Sequence, residues 1–366
     1  MWLNSGVSRR SPSRYPSSGA RRRRRGRFLP WLLIAFIVGG ATWWSLERRP
    51  PKKPIHPPPA VAVQPPPRPF TVERQSPADF PRPVLDVFEA QVALARRGIS
   101  PGSIDGALGS QTREAISVFQ ELANLPQTEE LDAPTRAQLV LDAPVLTNYT
   151  VTTNDLAQLH PLGTTWLAKS VQTSLDYETE LERVAELSHS HPLLIQRLNP
   201  QIANWTAVPA GAVLRIPAVS YPEPDEQAAF VVIHLSEKFL EAYGENTNLL
   251  AHFPCSIAAR VEKRPVGELH VTDIIPHPNY TVDPELFPES SELQAIGHKL
   301  VLPPGPRNPV GVAWIGLDRT GYGIHGTPAP EQVGRTESHG CFRLANWDAE
   351  YLLKLVWVGM PVFVEP

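Results

Sequence analysis

The chain has 366 residues, of which 42% are hydrophobic, 19% are charged and 41 are proline. This length exceeds one ordinary domain, so we expect two or three folded units with buried cores. The net charge of −3 argues against a nucleic-acid-binding protein, because such proteins carry a basic field over the binding domain. Two cysteines exclude a disulfide-dense scaffold and a cysteine-rich zinc module. Proline, at about twice its usual ~5%, points to an unusual segment.

The first 46 residues predict a membrane anchor. Residues 1–27 contain nine arginines and no acidic residue, and the apolar run Phe28–Leu46 has no charge in 19 residues. As a helix rising ~1.5 Å per residue, residues 28–46 nearly cross a ~30 Å hydrocarbon core. Tryptophans lie near both ends of the run, as in an interfacial aromatic belt; they are Trp31, Trp43 and Trp44. The positive-inside rule keeps the arginines cytoplasmic, so we expect an inner-membrane anchor with the rest of the chain in the periplasm.

Two alternatives remain for this terminus. An apolar core that ends near Val38, followed by the small residues Gly39 and Ala41, also fits a cleaved signal peptide. A nucleic-acid-binding arginine tail is the other alternative, although the apolar run follows the arginines directly. Because residues 1–27 contribute nine positive charges, residues 28–366 sum to −12. The near-neutral net charge therefore combines a basic tail with an acidic remainder, and we expect no nucleic-acid partner.

A proline-rich stalk is predicted over residues 47–83. From Pro50 to Pro83, 13 of 34 residues are proline. Proline fixes φ and lacks an N–H, so this stretch favours an extended polyproline II rod. At ~3.1 Å per residue, its upper reach is on the order of 100 Å. An SH3-type ligand is the alternative, but it fits poorly outside the cytoplasm.

Residues 84–141 predict a small helical module. Apolar residues recur at helical spacing over Val84–Arg97, and Gly98 ends that helix. A second helix begins with Ser110 as its N-cap, and a third covers 134–140. The second helix is expected to bury Ala115, Ile116, Phe119 and Leu122. The run 105–112 has the sequence DGALGSQT, and its DGxxGxxT loop between two helices resembles the three-helix peptidoglycan-binding domain. A generic helical hairpin with a glycine turn is the alternative.

Residues 145–220 combine helices with strands. Thr179–Ser190 forms an amphipathic helix whose inner face would hold Leu181, Val184, Ala185 and Leu187. Ser190 caps a second helix, with Pro192 in its first turn, and a strand follows at 211–217. This order resembles the second part of a LysM glycan-binding module, for which Tyr149–Thr152 would supply the first strand. About 26 residues separate that strand from the first helix, where the family has few, and a structural helical hairpin is the alternative.

Residues 228–366 predict a mostly β domain. Short β-prone runs alternate with Gly, Pro, Asn and Asp clusters. The predicted strands are Phe230–Leu235, Leu249–Ile257, Leu269–Ile275, Val312–Leu317 and Pro361–Val364. One helix is expected, with Asn346 as its cap, Leu352, Leu353 and Val356 inward, and Gly359 at its C-terminal end.

Two motifs in this domain carry chemistry. Ile324–Thr327 has the sequence IHGT, and the segment 337–344 has the sequence ESHGCFRL. A thiol attacks as thiolate, and its ordinary pKa near ~8.5 leaves little of it ionised at neutral pH, so Cys341 would need an imidazole to take its proton. That imidazole in turn needs an acceptor on its other nitrogen. Gly340 allows close backbone approach, and the N–H groups of Gly340 and Cys341 could stabilise an oxyanion.

These motifs resemble the catalytic signature of the L,D-transpeptidases (the YkuD-type domain), and the resemblance covers about 228–364. It includes the turns Arg264–Gly267, where Arg replaces the family's Thr, and Asn308–Gly311. It implies a mixed β-sandwich with one helix, and no cofactor or metal. The implied catalytic roles are Cys341 as nucleophile, His325 as general base, His339 as support, the Gly326 carbonyl as the group that orients His325, and Gly340 as an oxyanion N–H donor. The implied substrate-binding residues are Arg343, Ser338, Tyr322 and Trp314.

The resemblance also implies a reaction on peptidoglycan, whose stem peptides and glycan would be the partners. Cys341 would attack the third residue, a diaminopimelate, of a donor tetrapeptide, release the terminal D-Ala and form a thioester. A second stem's amine would then give a 3→3 cross-link, water would give L,D-carboxypeptidase action, and an envelope-protein amine would give a protein–wall tether. The resemblance further implies inhibition by carbapenem-type β-lactams.

Less reactive interpretations stay open at this stage. Cys341 and Cys255 could form a disulfide, or His325, His339 and Cys341 could bind zinc, although no fourth ligand has metal-site spacing. Cys255 lies in an apolar run and is otherwise expected to be a buried thiol. A function of a different class is a non-catalytic wall-binding anchor with a degenerate enzyme domain.

Overall fold

The structure is a computed structural model that describes residues 79–335 and 340–366. The predicted cytoplasmic tail, the anchor at 28–46 and most of the stalk lie outside these ranges, as do Ser338 and His339. Within the two described ranges, we find no helix that is both long enough and apolar enough to cross a bilayer. The last stalk residues, Arg82–Pro83, are not extended linker: they form strand β1, which pairs with β2 at Val140–Leu141.

The first module contains the three predicted helices around one core. They are α1 (Val87–Ala95), α2 (Ser110–Leu122) and α3 (Ala133–Gln138). Asp86 caps α1 by accepting a hydrogen bond from the Glu89 N–H at 2.9 Å. Ser110 is the first helical residue and Gly109 occupies the cap position, so the predicted cap was one residue late. Leu122 was predicted to be buried but is 53% exposed, because it follows the last inward-facing turn of α2.

The second module is a two-stranded antiparallel sheet with the two predicted helices, and two shorter ones, between its strands. Its elements are β3 (Leu146–Thr150), β4 (Val213–Pro217), α6 (Glu180–Leu187) and α7 (Pro192–Leu198). Thr179 caps α6 and Pro192 lies in the first turn of α7, but His191 rather than Ser190 caps α7. Leu187, which was predicted to face inward, is 49% exposed.

The residues between β3 and α6 contain two short helices, α4 (Thr153–Ala157) and α5 (Trp166–Ser170). We call residues 158–178 the insertion. Its Leu175 is fully buried, in a cluster with four residues of the third module. These are Val282, Leu293, Leu300 and Leu302. The insertion therefore packs on the third module, although the chain connects it to the second.

The third module is mostly β, as predicted. Its strands are β5 (Phe230–His234), β6 (Phe239–Tyr243), β7 (Leu249–Pro254), β8 (Gly267–Pro276), β9 (Tyr280–Val282), β10 (Leu300–Leu302), β11 (Ala313–Leu317), β12 (Gly323–His325), β13 (Phe342–Arg343) and β14 (Pro361–Glu365). Eight of them form one mixed sheet in the order β13-β12-β11-β8-β14-β5-β6-β7, and β9 pairs with β10 separately. All five predicted strands are present. Of the strands that were not predicted, β9, β10, β12 and β13 are three residues or shorter, and β6 contains the charged residue Glu241.

The sheet curls because β8 serves both of its halves. The first half of β8 pairs with β14 and the second half with β11. The two outer ends then meet: Ser256 and Arg343 exchange backbone hydrogen bonds of 2.9 and 3.0 Å. The predicted sandwich is thus one continuous curled sheet among the described residues. It carries α9 (Asn346–Leu355) and also the short α8 (Ser291–Ile296).

Asn346 does not cap α9. Ala345 holds the cap position, Asn346 is the first helical residue, and α9 ends at Leu355, well before Gly359. The Asn346 side chain points away from its own helix to more distant backbone, for which its sequence position gave no signal.

The three modules meet in a buried polar junction. The Ser100 hydroxyl of the first module lies 3.2 Å from Asp348 Oδ2 of the third, and the Tyr221 hydroxyl donates to the other oxygen of Asp348. His189 of the second module stacks on Trp347 with ring centroids 5.3 Å apart. Burial raises the pKa of the Asp348 carboxyl to about 7, and the hydrogen bonds from Tyr221 and Ser100 offset this only in part.

This carboxyl should make stability depend on pH. Asp348 ionises near its ordinary pKa of 3.8 in the unfolded chain and only near 7 in the folded chain. The free energy of unfolding therefore falls as the pH rises from 3.8 to 7, and this loss is complete above pH 7. Asp348→Asn keeps the shape without the ionisation. We expect the melting temperature of the variant relative to wild type to rise by roughly 2 °C or more between pH 5 and pH 8. A difference that does not change with pH would contradict the assignment.

Candidate active site

Two short parallel strands bring the motif residues together. Strands β12 and β13 pair in a register that sets Ile324 beside Phe342 and His325 beside Arg343. Adjacent strands lie ~4.8 Å apart and successive side chains alternate between the two faces. Ile324 and Phe342 are buried in the core. His325, Arg343 and, one residue before β13, Cys341 therefore share the opposite face.

These side chains line one cavity of about 560 Å³, a size typical of ligand sites. Six predicted site residues lie on its wall: Cys341, His325, Gly340, Arg343, Tyr322 and Trp314. Gly326 lies directly after His325 in the chain and contacts it through its carbonyl. Ser338 and His339 lie outside the described residues, so their predicted roles are not tested by this geometry.

His325 is held as a neutral imidazole. Its Nδ1 lies 2.6 Å from the carbonyl oxygen of Gly326. A carbonyl only accepts, so Nδ1 carries the proton and Nε2 keeps a lone pair. Burial lowers the pKa of His325 to about 4; the Gly326 carbonyl opposes this shift and the positive charge of Arg343 adds to it. The Trp314 ring stacks at a centroid distance of 5.8 Å and an angle of 19°, which fixes the plane of the imidazole.

Cys341 is a protonated thiol at rest. Burial raises its pKa, while the backbone N–H of Gly323 and the charge of Arg343 act in the opposite direction. Its Sγ lies 3.5 Å from the Gly321 carbonyl. The thiol therefore needs a base to become a nucleophile, and the neutral imidazole on the same cavity wall can act as one.

The second cysteine takes no part in this site. Cys255 is fully buried, and burial raises the pKa of its thiol to about 12. Neither Cys255 nor Cys341 is in a disulfide, so the proposed Cys255–Cys341 bridge was a wrong alternative and the buried thiol was the right one.

Asn346 supports the loops behind His325. Its Oδ1 accepts a hydrogen bond from the Val312 N–H at 3.3 Å. A Cβ on Gly326 would lie 2.4 Å from this oxygen, and a Cβ on Gly311, whose φ is +65°, would lie 2.0 Å from it. Only glycine fits so close to the amide. Both glycine backbones are therefore packed directly against Asn346, including the one whose carbonyl orients His325.

A residue of the second module completes this support. The Asn346 Nδ2 donates to the Glu186 carboxylate at 3.0 and 3.2 Å and to the Pro306 carbonyl at 3.1 Å. Glu186 also accepts from the Tyr177 hydroxyl at 2.6 Å, and burial raises its pKa to about 7. No motif predicted Glu186, because it looks like one of several charged residues on an amphipathic helix.

The cavity also has a wall that the motifs did not predict. Most of it comes from 280–287 and from the 308–311 turn, which was recognised as a family-like turn without a role. The wall residues are Lys263, Tyr280, Thr281, Leu286, Phe287, Pro309, Val310 and Trp166. Trp166 comes from the insertion, where a single tryptophan in a stretch without periodicity gave no signal.

Comparison with protein families agrees with the two motif-based assignments. The family model YkuD, described as the L,D-transpeptidase catalytic domain, matches residues 228–364. A second model, described as "Putative peptidoglycan binding domain", matches residues 84–139. Residues 228–364 are therefore similar to a YkuD-type L,D-transpeptidase catalytic domain, and residues 84–139 to a peptidoglycan-binding domain. The LysM-like resemblance and the membrane anchor stay predictions.

Individual relatives are similar over part of the chain. "Probable L,D-transpeptidase YbiS" of Escherichia coli K12 is 34% identical over 155 residues, which are 42% of this chain and 49% of that protein. The chain thus matches about half the length of this relative. "Putative L,D-transpeptidase YkuD" of Bacillus licheniformis is 25% identical over 51% of this chain and 93% of its own. The crystal structure of L,D-transpeptidase 3 from Mycobacterium tuberculosis covers 44% of this chain and 77% of its own at 17% identity, with a TM-score of 0.30, too low to support an argument.

The support by Asn346 should control the reactivity of Cys341. Asn346→Ala frees the backbone behind His325, so we expect the second-order rate of Cys341 alkylation by iodoacetamide at pH 7 to fall about tenfold, because a base that loses its fixed position loses efficiency. Glu186→Ala should act in the same direction, because it removes the acceptor that orients Asn346.

Asn248→Ala is a matched control for Asn346→Ala. The side chain of this exposed asparagine donates to Glu226 at the surface, at 3.0 Å, and its loss should leave the alkylation rate unchanged. If Cys341 is alkylated as fast in Asn346→Ala as in Asn248→Ala, the contacts of Asn346 do not control the reactivity of Cys341.

Proposed function

We propose that this protein is a peptidoglycan L,D-transpeptidase that works through a thioester on Cys341. The observation that carries the proposal is the placement of His325 on β12 and of Cys341 directly before the parallel strand β13, in one cavity, within the segment that matches the L,D-transpeptidase catalytic domain. The substrate is the stem tetrapeptide of peptidoglycan, and the product is a 3→3 cross-link with release of D-Ala.

The first half-reaction forms the thioester. His325 Nε2 takes the thiol proton while Sγ attacks the carbonyl carbon of the diaminopimelate at position three. The oxyanion of the tetrahedral intermediate accepts hydrogen bonds from the backbone N–H groups of Gly340 and Cys341. When the C–N bond breaks, the imidazolium returns its proton to the departing amine of D-Ala.

Proton transfer and attack belong to one concerted event. The pKa of Cys341 is raised and that of His325 is lowered to about 4, so a resting thiolate–imidazolium pair is strongly disfavoured. The site differs in this respect from cysteine enzymes that store a preformed thiolate. The Gly326 carbonyl orients the imidazole without adding a negative charge that would raise its pKa.

The second half-reaction transfers the acyl group. The side-chain amine of a second diaminopimelate attacks the thioester, His325 takes its proton, and the thiol leaves protonated. Arg343 faces the cavity and binds a carboxylate of a stem, while Tyr322 and Trp314 bound the cleft. His339 and Ser338, which precede Gly340 in the chain, are assigned a supporting and a substrate-binding role from the motif alone. Water as acceptor gives L,D-carboxypeptidase action, and a protein amine gives a wall tether.

The other modules bring this domain to its substrate. A peptidoglycan-binding role for residues 84–141 is supported by the family match over 84–139 and by the three helices. A LysM-like glycan-binding role for 145–220 is supported by the strand–helix–helix–strand order of β3, α6, α7 and β4. With an anchor at 28–46 and a stalk at 47–83, the enzyme works in the periplasm at the inner membrane.

A purely structural wall anchor is disfavoured, because it has no need for a neutral imidazole and a thiol in one cavity.

Cys341→Ala decides whether the site is catalytic. We expect wild type to release D-Ala from disaccharide-tetrapeptide and to show a mass increase for the acyl-enzyme, and the variant to lose D-Ala release by at least about a thousandfold. Mass spectrometry of the products measures both, and cross-linked dimers among them select transpeptidase over carboxypeptidase.

The buried Cys255 supplies the control: Cys255→Ala removes a thiol that does not line the cavity and should keep D-Ala release. A wild-type protein that releases no D-Ala and forms no thioester would refute the enzyme function.

The pH profile tests the state of His325. A base works only when it is deprotonated, so D-Ala release should be almost constant between pH 5 and pH 8 and should fall to half near pH 4, the pKa of His325. Activity should return when the enzyme is brought back to pH 7, which separates protonation from acid unfolding. A half-maximum near the ordinary imidazole pKa of 6.5 would show that burial does not keep His325 neutral in the working enzyme.

A further inference from the structure

The insertion is fixed to the catalytic module by backbone contacts. The Leu175 N–H donates to the Pro304 carbonyl and the Arg307 N–H donates to the Leu175 carbonyl, both at 2.9 Å. At Gly305, whose φ is +142°, a Cβ would lie 2.3 Å from the Leu175 carbonyl oxygen, so glycine is needed for this approach. Arg307 also pairs with Glu182 of α6 at 2.6 Å. The insertion thus adds a fixed wall to the catalytic module.

Trp166 stands at the cavity end of this wall. Thr165 caps the short helix α5, and the Glu292 carboxylate accepts a hydrogen bond from the Leu167 N–H at 3.0 Å. The indole lies against Phe287 with ring centroids 6.1 Å apart and planes tilted by 37°. Trp166 remains half-buried and lines the same cavity as Cys341. A tryptophan with only a packing role would bury its ring, whereas this one offers part of it to the cleft.

The groups around the indole fit a carbohydrate. The tilted Trp166–Phe287 pair lines the cavity and supplies ring surface against which the C–H face of a sugar ring can pack, and aromatic rings supply such contact area with little conformational freedom to lose. The Lys169 ammonium lies over one face of the indole, 5.4 Å from its centroid, where it can also donate to the hydroxyl or carbonyl oxygens of a sugar. A short peptide with several charges has less to gain from this apolar wall.

The chemistry of the donor agrees with this placement. A stem peptide hangs from a sugar of the glycan strand, and the attacked carbonyl belongs to its third residue. Three extended residues span roughly 10 Å, and Trp166 and Cys341 line the same cavity. We propose that Trp166, with Phe287, forms a sugar subsite for the glycan unit that carries the donor stem. The inference rests on the proposed function and adds a residue of the insertion to the substrate site.

Two donors that differ only in the sugar test the subsite. We compare the disaccharide-tetrapeptide with the same tetrapeptide without sugar, using the full chain with Trp166→Ala. We expect KM for the disaccharide donor to rise about tenfold, as loss of one aromatic contact predicts, with kcat unchanged. The KM for the free tetrapeptide should stay as in wild type.

Two further variants control for folding. Trp166→Phe keeps a ring against Phe287 and should recover part of the sugar preference. Leu167→Ala changes the neighbouring side chain of the same helix, which is 50% exposed, and should change neither KM. The melting temperature of each variant checks that the insertion remains folded.

The results that would contradict the sugar subsite differ from the result that would contradict the proposed function. An equal rise of KM for both donors would place Trp166 on the stem peptide and refute the sugar subsite, and unchanged values for both donors would refute any substrate contact. If wild type releases D-Ala from neither donor, the proposed function fails instead. Calorimetric titration of Cys341→Ala and of Cys341→Ala with Trp166→Ala then still decides the subsite, because a loss of affinity limited to the disaccharide donor supports it and equal affinities overturn it.

Discussion

The whole site depends on the backbone pairing that closes the curled sheet. Ser256 and Arg343 exchange two hydrogen bonds, and the same short strand that holds Arg343 pairs in parallel with the strand of His325. A strand of only two residues has few hydrogen bonds, so the position of β13 depends on its pairing with β12 on one side and with Ser256 on the other. Cys341 precedes this strand directly, so the backbone pairing places it beside the strand that holds His325.

The protonation states of His325 and Cys341 follow from the closure of the curled sheet. The curled sheet and the Trp314 ring surround His325, and burial suppresses its charge. The same burial keeps the thiol of Cys341 protonated. Two groups that are both neutral at about pH 7 would then react together, when an electrophilic carbon is present to accept the electron pair. Such a site is protected from oxidation, because thiolate character is what makes cysteines susceptible.

The sequence predicted the parts of this protein that are local in the chain. The IHGT and SHGC motifs identified Cys341 and His325, and apolar periodicity located α1, α2, α6 and α7. What it could not predict depends on contacts between distant segments. Asn346 was expected to cap its own helix, as asparagine often does, but its amide instead meets Val312 and Glu186. The short strand β12 has no pattern of its own, and Trp166 reaches the cavity only because Leu175 binds the backbone at Pro304 and Arg307.

The buried carboxylate of Glu186 makes the catalytic module depend on the second module. It belongs by sequence to the second module but orients the amide that packs against the backbone behind His325. Exchange of this module for another of the same fold would remove both that carboxylate and the insertion, and would leave the Asn346 Nδ2 with the Pro306 carbonyl as its remaining acceptor. Recombination at the boundary near residue 220 would therefore weaken the support behind His325 even if every domain remained intact.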